Sequence, residues 1–277
     1  MSDTTVQVLQ TGRVQVSPRL PFQTGSNQLA VVLCPKRKRI WLPVSVYLVR
    51  TSHGNLLFDT GWGTAIRGNQ HAYLHFPNYV PNTGELPQGQ ELVTLLSGCG
   101  VTPRDLDVIL FSHLDLDHTS GLLEVAGPGI DGAKKVLVCR EEWDAAEKSH
   151  VRYVQDMWRG VDVTTFEFDD TGFGPFGRSK DLYGDGTLTD VWLPGHTAGS
   201  TGLVVRDLQS GRFLILAGDC GYGHQSWEQM VQPGLAVNRE QLETSLAWLH
   251  EQARDSRCID VLACHDAGVS PQLIQVC

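Results

Sequence analysis

Residues 111–121 constrain this chain more than any other stretch of its 277 residues. They continue an apolar run, residues 106–111, that is typical of a buried strand, and they place two histidines and two aspartates within six positions. Four such side chains are costly to remove from water unless a cation compensates them. The segment therefore predicts a strand that ends at one half of a metal site. The four candidate ligands are His113, Asp115, Asp117 and His118.

Three later apolar runs also end close to a single residue that can bind a metal. The runs are residues 188–193, 213–217 and 259–263, and the residues that follow them are His196, Asp219 and His265. Each of these residues alone has an ordinary explanation in a turn or at a strand end. Polar groups just beyond the ends of several strands are nevertheless typical of a site built on a rigid sheet. Because the separations along the chain are long, only tertiary folding can bring these groups together.

Charge and composition narrow the possible functions. The chain has 22 Lys and Arg against 31 Asp and Glu, a formal charge of −9 that disfavours a nucleic-acid partner. No cationic segment precedes an apolar run at the N-terminus, and no stretch approaches about 18 uninterrupted apolar residues, so no membrane partner is expected. The seven cysteines are widely spaced without a C-x-x-C pair, which favours reduced thiols and a cytoplasmic location. We expect a single domain over residues 1–277.

Two less periodic segments and one helix complete the expected architecture. Residues 67–90 and 150–187 mix aromatic residues with glycine or proline, and we expect both to cover the site. Asn238 is placed to cap a helix, because three leucines follow it at helical spacing. They are Leu242, Leu246 and Leu249.

The pattern as a whole resembles the metallo-β-lactamase superfamily, whose motif is H-x-H-x-D-H followed by single His, Asp and His ligands. Within it the chain is most similar to the N-acyl homoserine lactonases. The similarity includes Tyr222, three positions after Asp219, and the pair His265-Asp266. It also includes the short segments 42–44, 57–61, 112–113 and 194–196. The resemblance implies an α/β fold of the αββα type, with two mixed β-sheets packed face to face and helices outside.

The resemblance also implies a binuclear site with two divalent metal ions. Zinc is favoured, and iron, manganese and cobalt are alternatives. By position, the first metal would be bound by His113, Asp115 and His196, the second by Asp117, His118 and His265, and Asp219 would bridge them. Asp59 corresponds to a supporting aspartate rather than a ligand.

The activity that the resemblance implies is hydrolysis of a small-molecule ester or lactone, most closely that of N-acyl homoserine lactones in quorum quenching. A hydroxide shared by the metals would attack the lactone carbonyl. Tyr222 would stabilise the carbonyl oxygen, and Asp117 would carry a proton to the departing alkoxide. The candidate side chains for packing against an acyl chain are Trp62, Phe76, Tyr79 and Trp158.

One position departs from the family pattern and keeps other functions open. Asp115 stands where the family usually has its second histidine, and a carboxylate there adds negative charge and favours harder ions. A mononuclear site is the alternative if Asp115 is not a ligand. The alternatives are another ester or thioester hydrolase on the same centre, a di-iron redox enzyme and a non-catalytic sensor. A homodimer is also an open alternative.

Overall fold

The computed structural model describes residues 4–22 and 27–277, and within them the chain forms two β-sheets. The strands are β1 Thr5–Val16, β2 Ile40–Thr51, β3 Gly54–Phe58, β4 Thr83–Glu85, β5 Leu106–Leu110, β6 Val136–Cys139, β7 Val163–Phe166, β8 Asp169–Asp170, β9 Arg178–Asp181, β10 Leu188–Trp192, β11 Thr201–Arg206, β12 Phe213–Leu216, β13 Cys258–Leu262 and β14 Leu273–Gln275. The four strands expected to lead to candidate ligands, β5, β10, β12 and β13, are therefore confirmed to within one residue of the apolar runs that predicted them.

The helices lie between the strands and are mostly short. They are α1 Gln28–Val32, α2 Gln70–Leu74, α3 Leu92–Gly98, α4 Leu116–Thr119, α5 Leu122–Ala126, α6 Arg140–Lys148, α7 His224–Glu228 and α8 Arg239–Ala253, with 3-10 helices at Lys36–Lys38, Thr64–Arg67, Pro103–Asp105 and Gln155–Trp158. In the part of the chain that the structure describes, no helix is both long and apolar enough to cross a membrane.

The order of the strands places several strand ends at one edge of the sandwich. The first sheet runs β14-β1-β2-β3-β5-β6-β7, with β4 paired to β1, and the second runs β13-β12-β11-β10-β9-β8. Strands β3, β5, β6 and β7 run parallel to one another, as do β12 and β13, whereas β2 is antiparallel to β3 and β11 to β12. Phe58 at the end of β3 is in register with Leu110 at the end of β5. The residues that follow these two strands therefore emerge side by side.

Apolar side chains fill three layers, one between the sheets and one under the helices on each side. Val49, Phe58 and Leu110 of the first sheet meet Leu203 and Leu216 of the second in the central layer. Helices α3 and α5 pack on the outer face of the first sheet, and α8 packs on that of the second. Each layer buries the apolar face of one element against another, as a two-sheet sandwich requires. The predicted αββα fold class is confirmed.

Helix α8 begins where the sequence predicted. The side chain of Asn238 accepts a hydrogen bond from the backbone N–H of Gln241 at 3.1 Å. Leu242, Leu246 and Leu249 are fully buried against the second sheet. The helix therefore combines a capped N-terminus with one apolar face, as its residue spacing indicated.

We expect Asn238→Ala to lower the free energy of unfolding by about 1 kcal/mol, because the N–H groups of the first helical turn lose their side-chain acceptor. Urea unfolding followed by circular dichroism measures this difference. Asn238→Ser, which keeps an acceptor oxygen at the cap, is the matched control and should lie close to the unchanged protein. Equal stabilities for the alanine and serine variants would contradict a capping role.

Candidate metal centre

Asp59 organises the first half of the centre from the end of β3. It is fully buried and has a φ of 63°, an uncommon conformation for a residue other than glycine. Its Oδ1 accepts the backbone N–H of Ser112 at 2.8 Å, and its Oδ2 accepts the Ser112 hydroxyl at 2.7 Å. The same Oδ2 lies 2.8 Å from Nδ1 of His118. Asp59 thus occupies the supporting position that the sequence resemblance implied.

The hydrogen bonds around Asp59 decide which histidine nitrogens face the centre. Since the Ser112 hydroxyl donates to Asp59, it accepts from Nδ1 of His113, at 2.9 Å. His118 uses its Nδ1 on Asp59, and His265 donates from Nδ1 to the carbonyl of Pro43 at 2.8 Å. In all three histidines Nδ1 is held by a neighbouring group, and Nε2 is available to bind a metal ion. Metal-binding histidines in proteins are usually oriented in this way.

Two compact groups of possible ligands meet at these nitrogens. In each group the ligand atoms lie within 4.8 Å of one another. The first group contains His113, His196 and Asp219, and the second contains Asp117, His118 and His265. Six of the seven residues predicted as ligands therefore lie in these two groups, and the first group contains Asp219 where the sequence resemblance implied Asp115.

Asp219, a member of the first group, also faces the histidines of the second. Its Oδ1 is 3.4 Å from Nε2 of His118, and its Oδ2 is 3.3 Å from Nε2 of His265 and 3.8 Å from that of His196. One carboxylate thus faces ligand atoms of both groups, in the position expected for a bridging residue. Its role as a bridge remains a prediction.

The unpartnered atoms of the centre fit a cation. Nε2 of His113, Nε2 of His118 and Oδ1 of Asp219 are buried and have no hydrogen-bond partner. A buried polar atom without a partner costs about 1–3 kcal/mol, and here three of them face the same small volume. Imidazole nitrogens and carboxylate oxygens in this combination suit zinc, iron and similar divalent ions.

Attraction between the histidines and carboxylates sets the charges of the centre. Burial alone would lower the pKa of His265, but the charges of Asp219 and Asp117 raise it to about 9. Burial would likewise raise the pKa of Asp219, but His265 and His118 hold it well below its ordinary value. Asp219 is therefore ionised at neutral pH, as a metal-binding carboxylate must be.

Asp115 belongs to neither compact group, and an arginine that sequence reasoning missed holds it. Its Oδ2 lies 3.1 Å from Nε2 of His196 and 3.5 Å from Nε2 of His113. Arg152 binds both of its oxygens, from Nε at 2.7 Å and from Nη2 at 2.6 Å. Burial alone would raise the pKa of Asp115, yet Arg152 holds it well below its ordinary value. The ligand role of Asp115 remains a prediction.

Glu142 is a second residue that sequence reasoning missed. It lies on α6, is fully buried, and accepts the N–H of Leu114 at 3.0 Å and the N–H of Gly199 at 3.1 Å. The first N–H is next to His113, and the second belongs to the loop that carries His196. A Cβ at Gly199 would lie 2.2 Å from the backbone nitrogen of Glu142, so this approach requires glycine. Glu142 therefore fastens together two loops that bear candidate ligands.

Asp117, His196, Asp219 and His265 of the centre line a cavity of about 550 Å³. Tyr222 lines it, is 4% exposed, and stacks on His265 with 5.4 Å between ring centroids. Burial and the charges of Asp219 and Asp117 hold the pKa of Tyr222 well above its ordinary value, so its hydroxyl keeps its proton. Asp115 and Arg152 also line the cavity.

The apolar walls of the cavity differ from those that the sequence suggested. Trp62 and Trp158 are buried in the core, Phe76 is 74% exposed, and Tyr79 does not line the cavity. The aromatic prediction was therefore wrong, since these rings contribute to the core or the surface. The walls come instead from aliphatic residues and prolines, among them Val14, Val16, Leu20, Val31, Pro77 and Leu235.

The two expected covers are confirmed only in part. Pro77, Asn78 and Pro81 of residues 67–90 line the cavity, and Val151 and Arg152 do so from the start of residues 150–187. The remainder of the second segment forms the 3-10 helix Gln155–Trp158 and the strands β7, β8 and β9. The glycines of this segment lie before, between and after these strands, and none of them lines the cavity.

The chain has two facing sheets with helices outside and a His/Asp centre at the strand ends. These features are those of the metal-dependent hydrolases with an αββα fold. The sequence profile of the metallo-beta-lactamase superfamily matches residues 39–225. The chain belongs to this superfamily, as its motif resemblance indicated.

Characterised relatives and solved structures agree with this assignment. The chain is 26% identical to the N-acyl homoserine lactonase AttM of Rhizobium radiobacter, over 71% of this chain and 72% of the relative. It is 24% identical to an N-acyl homoserine lactonase of Bacillus cereus, over 69% and 68% of the two chains. The structure of an N-acyl homoserine lactone hydrolase with N-hexanoyl-L-homoserine at its catalytic metal centre matches with a TM-score of 0.74 and 22% identity, covering 99% of this chain and all of the other. The dizinc quorum-quenching lactonase AidC matches with a TM-score of 0.66 and 16% identity, over 96% and 90%.

Proposed function

We propose that this protein is a metal-dependent hydrolase that opens the lactone ring of N-acyl homoserine lactones and thereby quenches quorum sensing. The observation that carries the proposal is that residues of both ligand groups line one cavity, whose other walls include many aliphatic side chains. Such a site suits a substrate with a polar reacting ring and an apolar tail. The lactonase activity named for the relatives supports the same choice.

The residues of the centre fit two divalent ions, with zinc as the first candidate. His113, His196 and Asp115 would hold one ion, Asp117, His118 and His265 the other, and Asp219 both. When bound, the two ions supply a hydroxide that is nucleophilic at neutral pH and polarise the carbonyl group. Asp59 contributes by holding His118 with its Nε2 atom directed into the centre.

The protein's own side chains would assist ring opening in two ways. Tyr222 would donate its hydroxyl proton in a hydrogen bond to the carbonyl oxygen as negative charge develops there. Asp117, whose side chain is 15% exposed and lines the cavity, would carry a proton to the departing alkoxide. The aliphatic walls would hold the acyl chain and keep water away from it.

The direct test combines metal analysis with substrate turnover on one sample. We expect two equivalents of zinc in the reconstituted protein and faster hydrolysis of N-acyl homoserine lactones than of aryl esters or thioesters. Preferential cleavage of a thioester or aryl ester by protein with two equivalents of metal would replace the lactone with that substrate class. Iron with oxygen consumption would indicate a redox enzyme, and full metal loading without turnover of any ester would indicate a sensor.

We expect Tyr222→Phe to lower kcat for lactone hydrolysis by about 10²-fold, the effect of losing one donor to a developing oxyanion. The substitution removes only the hydroxyl and leaves the ring stacked on His265. Elemental analysis should show an unchanged metal content. Unchanged turnover would exclude Tyr222 from catalysis, and a loss of metal would assign it a structural role instead.

We further propose a cytoplasmic location. All seven cysteines are unpaired, and four of them are buried, as is usual in a reducing compartment. The expectation of a possible homodimer remains a prediction.

A further inference from the structure

Arg152 contacts two of the atoms assigned to the first metal. Its Nη2 lies 2.6 Å from Oδ2 of Asp115 and 3.2 Å from Nε2 of His196. Its Nη1 lies 3.3 Å from the backbone carbonyl of His196, so the guanidinium group is fastened at several points. The arginine side chain is 30% exposed and borders the cavity.

These contacts compete directly with metal binding at the first group. Nε2 of His196 lies 3.2 Å from Nη2 of Arg152 and 3.1 Å from Oδ2 of Asp115, and it can form a hydrogen bond with only one of them at a time. Either hydrogen bond takes the place of a metal ion at this nitrogen. The negative charge of Asp115 is likewise opposed by the guanidinium charge beside it. A dication bound by His196 and Asp115 would also lie close to the positive charge of Arg152.

The second group has no comparable competitor. Asp117, His118 and His265 form no ion pair with a lysine or arginine among the residues that the structure describes. Two groups with similar donor atoms therefore differ in the charge of their nearest neighbour. Arg152 causes this difference between the two groups.

We propose that Arg152 competes with the metal ion for His196 and Asp115, so that the first group binds metal more weakly than the second. The inference rests on the ligand assignment in the proposed function. The second group fills first, and the first group fills only when Arg152 gives up its contact with His196. Arg152 is thus a positioning residue that controls occupancy of the centre.

The test is a titration of metal-free protein with Zn²⁺ in the presence of a competing chelator. The unchanged protein is expected to bind two equivalents with dissociation constants at least about tenfold apart. Arg152→Gln removes the adjacent positive charge and should tighten the weaker site by about tenfold or more, leaving the tighter site unchanged. Titration with Co²⁺ followed by visible absorption reports the same two steps through the ligand field.

Arg178→Gln is the matched control. Arg178 is 29% exposed and pairs with a carboxylate, that of Glu141, but it does not line the cavity. Its removal should leave both dissociation constants unchanged. Arg152→Lys keeps a cation beside Asp115 without the planar fork that reaches His196, and it should tighten the weaker site by a smaller factor, about threefold. This variant tests the proposal even if Arg152→Gln does not fold.

Weaker binding at the first site in Arg152→Gln would overturn the proposal, because it would show that Arg152 supports Asp115 as a ligand. Unchanged constants in both Arg152 variants, or equal sites in the unchanged protein, would also overturn it. These results are independent of turnover. If the two sites are unequal and Arg152→Gln makes them more equal, this inference stands even when the protein does not hydrolyse lactones. The absence of lactone hydrolysis would remove only the proposed substrate.

Discussion

Asp219→Ala is expected to reduce kcat/KM for lactone hydrolysis by at least about 10³-fold and to lower the metal content from two equivalents to one or fewer. Asp219 is the only carboxylate among the described residues that lies within 4 Å of ligand nitrogens from both groups, at 3.4 Å from His118, 3.3 Å from His265 and 3.8 Å from His196. Its removal would deprive both metals of a ligand. It would also remove a negative charge that offsets the positive charge of the two cations. Metal ions at such a centre supply several kcal/mol of transition-state stabilisation, which corresponds to this loss in rate.

The measurement pairs elemental analysis with initial rates on the same preparation. Asp260→Ala is the control, because Asp260 is a more exposed carboxylate that pairs with His224 at 2.9 Å outside the centre. It should keep both metals and normal turnover. Two equivalents of metal in folded Asp219→Ala protein would contradict a bridging role, and full activity would contradict the centre itself.

Glu142→Ala is expected to lower the free energy of unfolding by about 3 kcal/mol. The substitution leaves the N–H groups of Leu114 and Gly199 buried without an acceptor, and each such group costs about 1–3 kcal/mol. Because the two N–H groups belong to loops that carry candidate ligands, the metal content should fall as well. Urea unfolding with elemental analysis measures both effects.

Glu147→Ala is the matched control for Glu142, since it lies on the same helix but is exposed. It should change the stability by less than about 0.5 kcal/mol. A loss of less than 1 kcal/mol in Glu142→Ala would show that water satisfies the two N–H groups. A normal metal content in a destabilised Glu142→Ala protein would show that the two loops keep their geometry without this fastening.

The candidate ligands were predictable because their signal is local. An apolar run followed at once by His113, Asp117 and His118 identifies a strand and its polar end in a single stretch. His196, Asp219 and His265 gave weaker signals of the same kind. The helix that begins after Asn238 was predictable for a similar reason, because its cap and its leucines follow one another at helical spacing.

The cavity walls were not predictable from residue type. Trp62 and Trp158 are large aromatic side chains that were candidates for the cavity wall, but the protein buries them in its core. A hydrophobic residue that packs inside and one that lines a cavity have the same composition and the same periodicity. Only the arrangement of the sheets decides which of them faces the substrate.

The sequence by itself determined the fold class, the superfamily and the set of candidate metal ligands, since each depends on short patterns of neighbouring residues. The tertiary structure alone decided what surrounds them. Arg152 lies 37 positions from Asp115, and Glu142 lies 28 positions from Leu114, and no local pattern connects either pair. Charge pairing and the satisfaction of buried N–H groups depend on distances in space, so the partner of Asp115 emerged only when β5 and the segment after α6 were packed together.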